Sequence, residues 1–256
     1  MSRTVTQEII QRDLERLGLK TGDVVLVHSS LSKIGWVDGG ADAVIDALLA
    51  AVGREGTILV PTLTGSSELS PQNAPFFDVR NTPCWTGTIP ETFRKRSHAI
   101  RSLHPTHSVA AIGPMAEELV EGHESTLTPC GKGSPYDKLS SLPNGKILLL
   151  GVTLESCTSF HHAEELAGVP YHLQDELTEA TIVDIEGRER KMKLHLHRYG
   201  WWRNFEVMRE PFMEAGIMRT GKIGEADSSL ILAKELTSRT LNALKGDQDI
   251  LRLQMN

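Results

Sequence analysis

Between Cys157 and Pro170 the chain reads CTSFHHAEELAGVP, which brings two histidines, two carboxylates, a thiol and two hydroxyls to one apparent helix start. If 158–168 is helical, His161 stands three residues before Glu164 and four before Glu165, so an imidazole and a carboxylate share one face. A carboxylate that holds one ring nitrogen fixes the tautomer and raises the basicity of the other nitrogen, as a general base requires. The same spacing occurs in solvated His/Glu pairs on exposed helices, and spacing alone leaves both readings open. The preceding segment, KILLLGV, reads as a buried strand, and ligands of α/β sheets bind beyond the carboxyl ends of strands, which favours the catalytic reading. His162 is turned about a hundred degrees from His161 on a helix and reads as structural.

Cys157 lies four residues before His161, which raises the chemistry of a thiol nucleophile and an acyl-enzyme. A small side chain packed at a strand-to-helix junction fits it better. Zinc is a further rival, because His104-x-x-His107, His195-x-His197 and His161-His162 offer nitrogens. Pro105 interrupts the first of these and no paired-cysteine motif is present, so no metal is expected.

Alternating elements must position these groups. Ile9, Ile10, Leu14 and Leu17 recur at helical spacing with Gly18 as the stop, and DVVLVHSS is a short buried strand ending at His28. After Gly39-Gly40, ADAVIDALLAAV keeps the helical period as far as Gly53, and TILVPT is a strand stopped by Pro61. Residues 63–87 hold many turn formers and read as one long loop bordering a site. TIPETFRKR opens with Thr88 and Glu91 at capping-box spacing, HSVAAIG is a strand, PMAEELVEG and SPYDKLSSL start as helices at proline, and Thr158 or Ser159 caps the helix of interest. ATIVDIEGRERKMKLHLH predicts two antiparallel strands turning at Glu186-Gly187, which would make the sheet mixed. A helix near 201–214, a hairpin around Thr220-Gly221 and a last helix near 228–245 complete one domain over 1–256. The expected fold class is α/β, a three-layer α/β/α arrangement around a mixed sheet.

Composition limits the function classes. The chain is 39% hydrophobic and 23% charged, as in ordinary soluble globular proteins. With 33 acidic against 27 basic residues it lacks the basic footprint of a nucleic-acid binder. No run reaches the ~18 apolar residues of a membrane span, and MSRTVTQEIIQRDLERLGLK has no signal core, so a cytoplasmic protein is expected. Cys84, Cys130 and Cys157 are odd in number and widely spaced, which suits reduced thiols.

Five segments stand in an order found in one family: VHSSLSKIGWVDGGADAVIDAL with GTILVPT, RSLHPTHSVAAIGP, GKGSPYDKL, LLLGVTLESCTSFHHAEELA and GKIGEADSSLI. Over most of residues 8–232 the chain resembles the aminoglycoside 3-N-acetyltransferases, acetyl-CoA-dependent antibiotic-modifying enzymes unrelated in fold to the common GNAT acetyltransferases. The family pattern T-x-x-H-x-x-E falls on Thr158, His161 and Glu164, and implies that His161 is the catalytic base with Glu164 as its partner. VHSSLSKIGW is similar to the family's coenzyme segment, which implies that His28, Ser29, Ser30, Leu31, Ser32, Ile34 and Gly35 flank the pantetheine arm. RSLHPTHS resembles a second coenzyme segment, with Arg101 and Ser102 suited to phosphate or pantetheine and His104, Thr106 and Ser108 near the thioester.

The implied reaction moves acetyl from acetyl-CoA to the 3-amine of an aminoglycoside, in a monomer or homodimer. Acyl transfer to a smaller biosynthetic amine is the alternative. Asp78, Glu165 and Asp175, with Glu164, are the acceptor carboxylates expected from sequence position. Backbone amides at 158–160 or the Thr158 or Ser159 hydroxyl would meet the oxyanion. Family members carry a longer insertion before FFDVRNTP, and the short segment at 63–77 predicts a reduced acceptor pocket.

Overall fold

The helical period at the start of the chain forms α1 (Gln7–Leu17), whose Ile10, Leu14 and Leu17 are buried and whose stop, Gly18, takes φ 114°, where a side chain would be strained. The computed structural model describes residues 4–200 and 203–253. The chain continues through β1 (Val24–Ser29), α2 (Gly40–Val52), β2 (Thr57–Pro61), β3 (Phe76–Asp78), α3 (Thr88–Phe93), β4 (Ile100–Arg101), β5 (Val109–Ile112), α4 (Ala116–Val120) and α5 (Pro135–Ser141). There follow β6 (Gly145–Leu150), α6 (Ser159–Ala167), β7 (Leu173–Val183), β8 (Glu189–His197), α7 (Arg209–Glu214), β9 (Met218–Ile223), β10 (Ala226–Leu232) and α8 (Ala233–Gly246).

A seven-stranded sheet runs in the order β4-β5-β2-β1-β6-β10-β9. β1 pairs in parallel with β2 and β6, whereas β5 and β10 join antiparallel, so the sheet is mixed as expected. Alternate residues of each strand enter opposite apolar layers. Val25, Val27, Ile58 and Val60 pack with Leu14 and Leu48, while Val24, Leu26, Leu59 and Leu149 pack with Phe160, Leu139 and Leu236. Burial of each Val or Leu contributes roughly 1.5–3 kcal/mol, so the block at 24–27 anchors the strand end that carries His28 and Ser29. No helix among the described residues is long and apolar enough to cross a membrane.

Several local expectations are corrected. β7 and β8 do turn where expected, but β7 begins at Leu173 and the pair forms a separate three-stranded sheet with β3. β3 pairs with Thr181–Val183, so 63–87 is not wholly loop; three residues are too short to display a period. The capping box at α3 does not form. Gly87 occupies the cap, and Glu91 instead accepts from Arg94 and the Cys84 N–H and pairs with Lys95. β1 extends to Ser29, and β2 includes Pro61. The last hairpin pairs Ile223 with Ala226, so it turns at Gly224-Glu225, and 228–232 are strand with α8 starting at Ala233. Of the helix expected near 201–214, only 209–214 is α-helical, after a 3-10 turn at Phe205–Met208; residues 201–202 lie outside the described part.

Candidate active site

Ser29 at the end of β1 sits opposite Leu150 at the end of parallel β6, so both carboxyl ends open on one side of the sheet. β1 runs on into a 3-10 turn at Leu31–Lys33, and β6 into a loop that ends at α6. Between them lies a cleft of about 740 Å³, lined among others by His28, Ser30, Ser32, Glu155, Thr158 and His161.

α6 performs the expected pairing. His161 Nδ1 lies 2.7 Å from Glu164 Oε2, with the Glu164 side chain 0% and the His161 side chain 16% exposed. Burial, with Arg203 and His28 nearby, holds the His161 imidazole well below its ordinary range, so the ring is neutral at pH 7. Burial pushes the Glu164 carboxyl up, while His172 and Arg203 pull it back. Those two groups lie 3.3 Å and 4.0 Å from Glu164 Oε2. The neutral ring therefore donates Nδ1–H to the carboxylate and keeps its lone pair on Nε2, the state a general base needs. His28 faces the same cleft with Nε2 unpaired, and burial lowers its pKa to about 3.

Thr158 stands at the α6 N-cap, but its side chain caps nothing, and Ser159 is already helical. Among the amides at 158–160, Phe160 donates to the Cys157 carbonyl and Ser159 faces the Cys157 sulfur. The Thr158 N–H has no hydrogen-bond acceptor among the described residues. Cys157 is fully buried and burial raises its thiol to about 12, far from a reactive thiolate. His162 is structural as expected, donating Nδ1–H to the Cys130 carbonyl at 2.7 Å.

Of the first coenzyme segment, His28, Ser29, Ser30, Leu31 and Ser32 line the cleft. Ile34 does not; it is a fully buried core residue, and Gly35, at φ 98°, packs against Glu225 instead. The residues of the second segment do not line the cleft, and their polar groups bond to other parts of the protein. Arg101 donates to the Thr62 carbonyl at 3.0 Å, the Thr82 carbonyl at 2.6 Å and the Thr62 and Ser108 hydroxyls at 3.1 Å, with its guanidinium over Phe77. Ser102 joins His123 Nδ1 to the Val109 N–H, and His104 Nδ1 accepts from the Thr106 and His107 amides. Thr106 Oγ1 meets His107, and Ser108 Oγ donates to the Thr62 carbonyl.

Nor do the expected acceptor carboxylates Asp78, Glu165 and Asp175 line the cleft. Asp78 accepts from the Arg80 and Asn81 amides at the edge of the smaller sheet, and Asp175 pairs with Arg198 at the surface. Glu165 turns inward to the Cys130 N–H at 2.9 Å and to His197 at 2.7 Å. Glu155, missed by sequence reasoning, is the carboxylate in the cleft among the described residues, with burial raising its pKa. Trp85 and Thr86 were missed individually, although the long-loop signal pointed at their segment. His172 and Arg203 reach Glu164 from outside α6, and no local pattern announces them.

Residues 26–245 match the family model described as aminoglycoside 3-N-acetyltransferase. The chain is 34% identical over 270 residues to aminoglycoside N(3)-acetyltransferase IX of Micromonospora chalcea, covering 93% of this chain and 92% of that protein. Among solved structures, it matches a variant of aminoglycoside acetyltransferase AAC(3)-IVa in complex with a gentamicin at TM-score 0.84 and 28% identity, covering 99% of this chain and 93% of that one. It matches AAC-IIIb bound to CoASH at TM-score 0.80 and 27% identity, covering 99% and 100%.

Proposed function

This chain belongs to the aminoglycoside 3-N-acetyltransferase family, and from that premise we propose that it transfers acetyl from acetyl-CoA to the 3-amine of an aminoglycoside, as one cytoplasmic catalytic domain. The carrying observation is His161 held 2.7 Å from a fully buried Glu164 at the wall of the cleft. His161 Nε2 takes the proton of the acceptor amine, directly or through a water, as the nitrogen attacks the thioester carbonyl. Glu164 stabilises the imidazolium that forms, and the Thr158 N–H meets the oxyanion. The C–N bond forms, the C–S bond breaks, and the thiolate leaves with the proton available from His161.

The pantetheine arm is assigned to Ser29–Ser32, and the phosphates to an adjoining cavity of about 550 Å³ that shares Val152 with the cleft and presents Lys33, Arg209 and Lys222. Acetylation removes a positive charge from the product, which weakens its hold on an anionic RNA site. The acceptors named in the relatives support an aminoglycoside over a smaller amine. The direct test is release of coenzyme A thiol with aminoglycosides bearing or lacking the 3-amine. Release that follows the 3-amine is expected, and no release with any of them would overturn the reading.

A further inference from the structure

Beneath His161 lies a second group of side chains that acetyl transfer does not use. His107 precedes β5, Cys130 lies in the loop before α5, and His197 ends β8. All three are buried, and their ligand-capable atoms lie within 4.8 Å of one another. His107 Nδ1 is held 2.9 Å from Thr106 Oγ1, and His197 Nε2 is held 2.7 Å from Glu165 Oε1. Each ring thus has one nitrogen engaged. The others, His107 Nε2 and His197 Nδ1, form no hydrogen bond among the described residues, and each keeps some exposure. Imidazoles that ligate metals adopt this arrangement, giving the outer N–H to a hydroxyl or carboxylate while the inner nitrogen keeps its lone pair.

We propose that His107, Cys130 and His197 form a binding site for zinc. A thiolate with two imidazoles is a borderline-soft donor set that selects zinc over magnesium or calcium. Zinc bonds of ~2.0 Å to nitrogen and ~2.3 Å to sulfur set tetrahedral donor atoms roughly 3.3–3.7 Å apart, so the cluster closes onto an ion by side-chain rotations of about an ångström. The fourth position falls to water or to Glu165, whose Oε2 is buried without a partner and whose Oε1 accepts from the Cys130 N–H. A divalent ion would neutralise the Cys130 thiolate and the Glu165 carboxylate together.

A network of hydrogen bonds alone accounts for less. His172 Nε2 lies 3.0 Å from His197 Nε2, which engages that nitrogen but neither His107 Nε2, His197 Nδ1 nor the Cys130 sulfur. Two other groupings, His161 with Glu164 and His172, and Glu165 with His172 and His197, are equally compact but lack sulfur. The first also contains the proposed base. The His197 ring lies 5.1 Å from that of His161, so an ion here would tie three sequence-distant segments together directly under the base.

The test is zinc content by plasma mass spectrometry, on untagged protein dialysed against a weak chelator. Near-stoichiometric zinc is expected in the parent and in His195→Gln, whose ring is bonded to the Gln174 carbonyl, with loss in Cys130→Ser and His107→Gln. Stripping the parent with a strong chelator should lower its melting temperature, and added zinc should restore it. Should the variants misfold, cobalt substitution of the parent must give the charge-transfer absorption of a thiolate–cobalt bond. Trace zinc in the parent with no thermal response to zinc and no thiolate–cobalt band overturns the site. So does zinc that survives Cys130→Ser and is lost in His161→Ala, which would move the metal to the base.

Discussion

Replacing Glu164 by glutamine isolates what the buried charge does. The amide oxygen can still accept from His161 Nδ1, so orientation is largely kept while the charge is removed. Hydrogen bonds to charged groups are worth ~1.5–3 kcal/mol against ~0.5–1.5 for neutral ones, so the bond alone weakens by roughly 1–1.5 kcal/mol. Arg203, 4.0 Å from Glu164 Oε2, then becomes an uncompensated cation beside the imidazolium and adds to the barrier. At ~1.4 kcal/mol per decade the sum predicts a fall in kcat of about 10–100-fold. Loss of the anion also favours the neutral ring, so any acid limb of kcat/KM moves to lower pH. Steady-state rates by thiol release across pH, beside acetyl-CoA titration by calorimetry, make the measurement. Acetyl-CoA affinity should stay unchanged. A kcat within about threefold of the parent, with an unmoved pH profile, would show that the carboxylate only props the helix.

His161→Ala should lower turnover by about 10²–10⁴ while leaving acetyl-CoA affinity near that of the parent, as read by the same two assays. Arg101→Ala should lose about 2–4 kcal/mol in urea unfolding, because the Thr62, Val79 and Thr82 carbonyls lose their donor. Unchanged stability with a raised KM for acetyl-CoA would return Arg101 to the coenzyme. Bulky aminoglycosides should show KM values toward or beyond the top of the usual ~1 μM–1 mM range, since Glu155 is the carboxylate found in the cleft; low-micromolar values for several of them would refute this. His28 and His123 have folded pKa values lowered to about 3, so the unfolded chain binds more protons below its pKa of ~6.5 and stability falls as pH drops from there toward 3. At pH 5 the pair should account for about 4 kcal/mol of lost stability in denaturant titrations, and a flat profile from pH 7 to pH 5 would contradict their burial as neutral rings.

Legibility in the sequence followed locality. The His161–Glu164 contact was readable because both residues lie on one helix, where spacing fixes which side chains meet. β1, β2 and β6 were readable because strands buried on both faces are continuous apolar runs. The two largest misplacements at the site depend on partners distant in the chain. Arg101 looks like a phosphate ligand until the Thr62, Val79 and Thr82 carbonyls close around it. Glu165, one residue from the base's partner, turns toward Cys130 and His197, which no spacing rule foretells. The start of β7 was missed because its first residues, Leu173–Glu179, pair across a register irregularity and carry mixed exposure, so no clean alternation marks them.

The surroundings of His161 also bear on which partner sets the pH dependence of the reaction. Burial disfavours the imidazolium and the nearby Arg203 cation adds to it, so the base is already deprotonated throughout the neutral range. A base of low pKa is intrinsically weak, and on its own it would be a poor choice against an amine. The arrangement compensates by position. Glu164 fixes the tautomer and supports the transient charge, so availability and orientation replace basicity. The acceptor amine, cationic at pH 7, is then the group whose ionisation limits attack. The rate should rise with pH until that amine is neutral, and His161 should never be the reason it falls on the alkaline side.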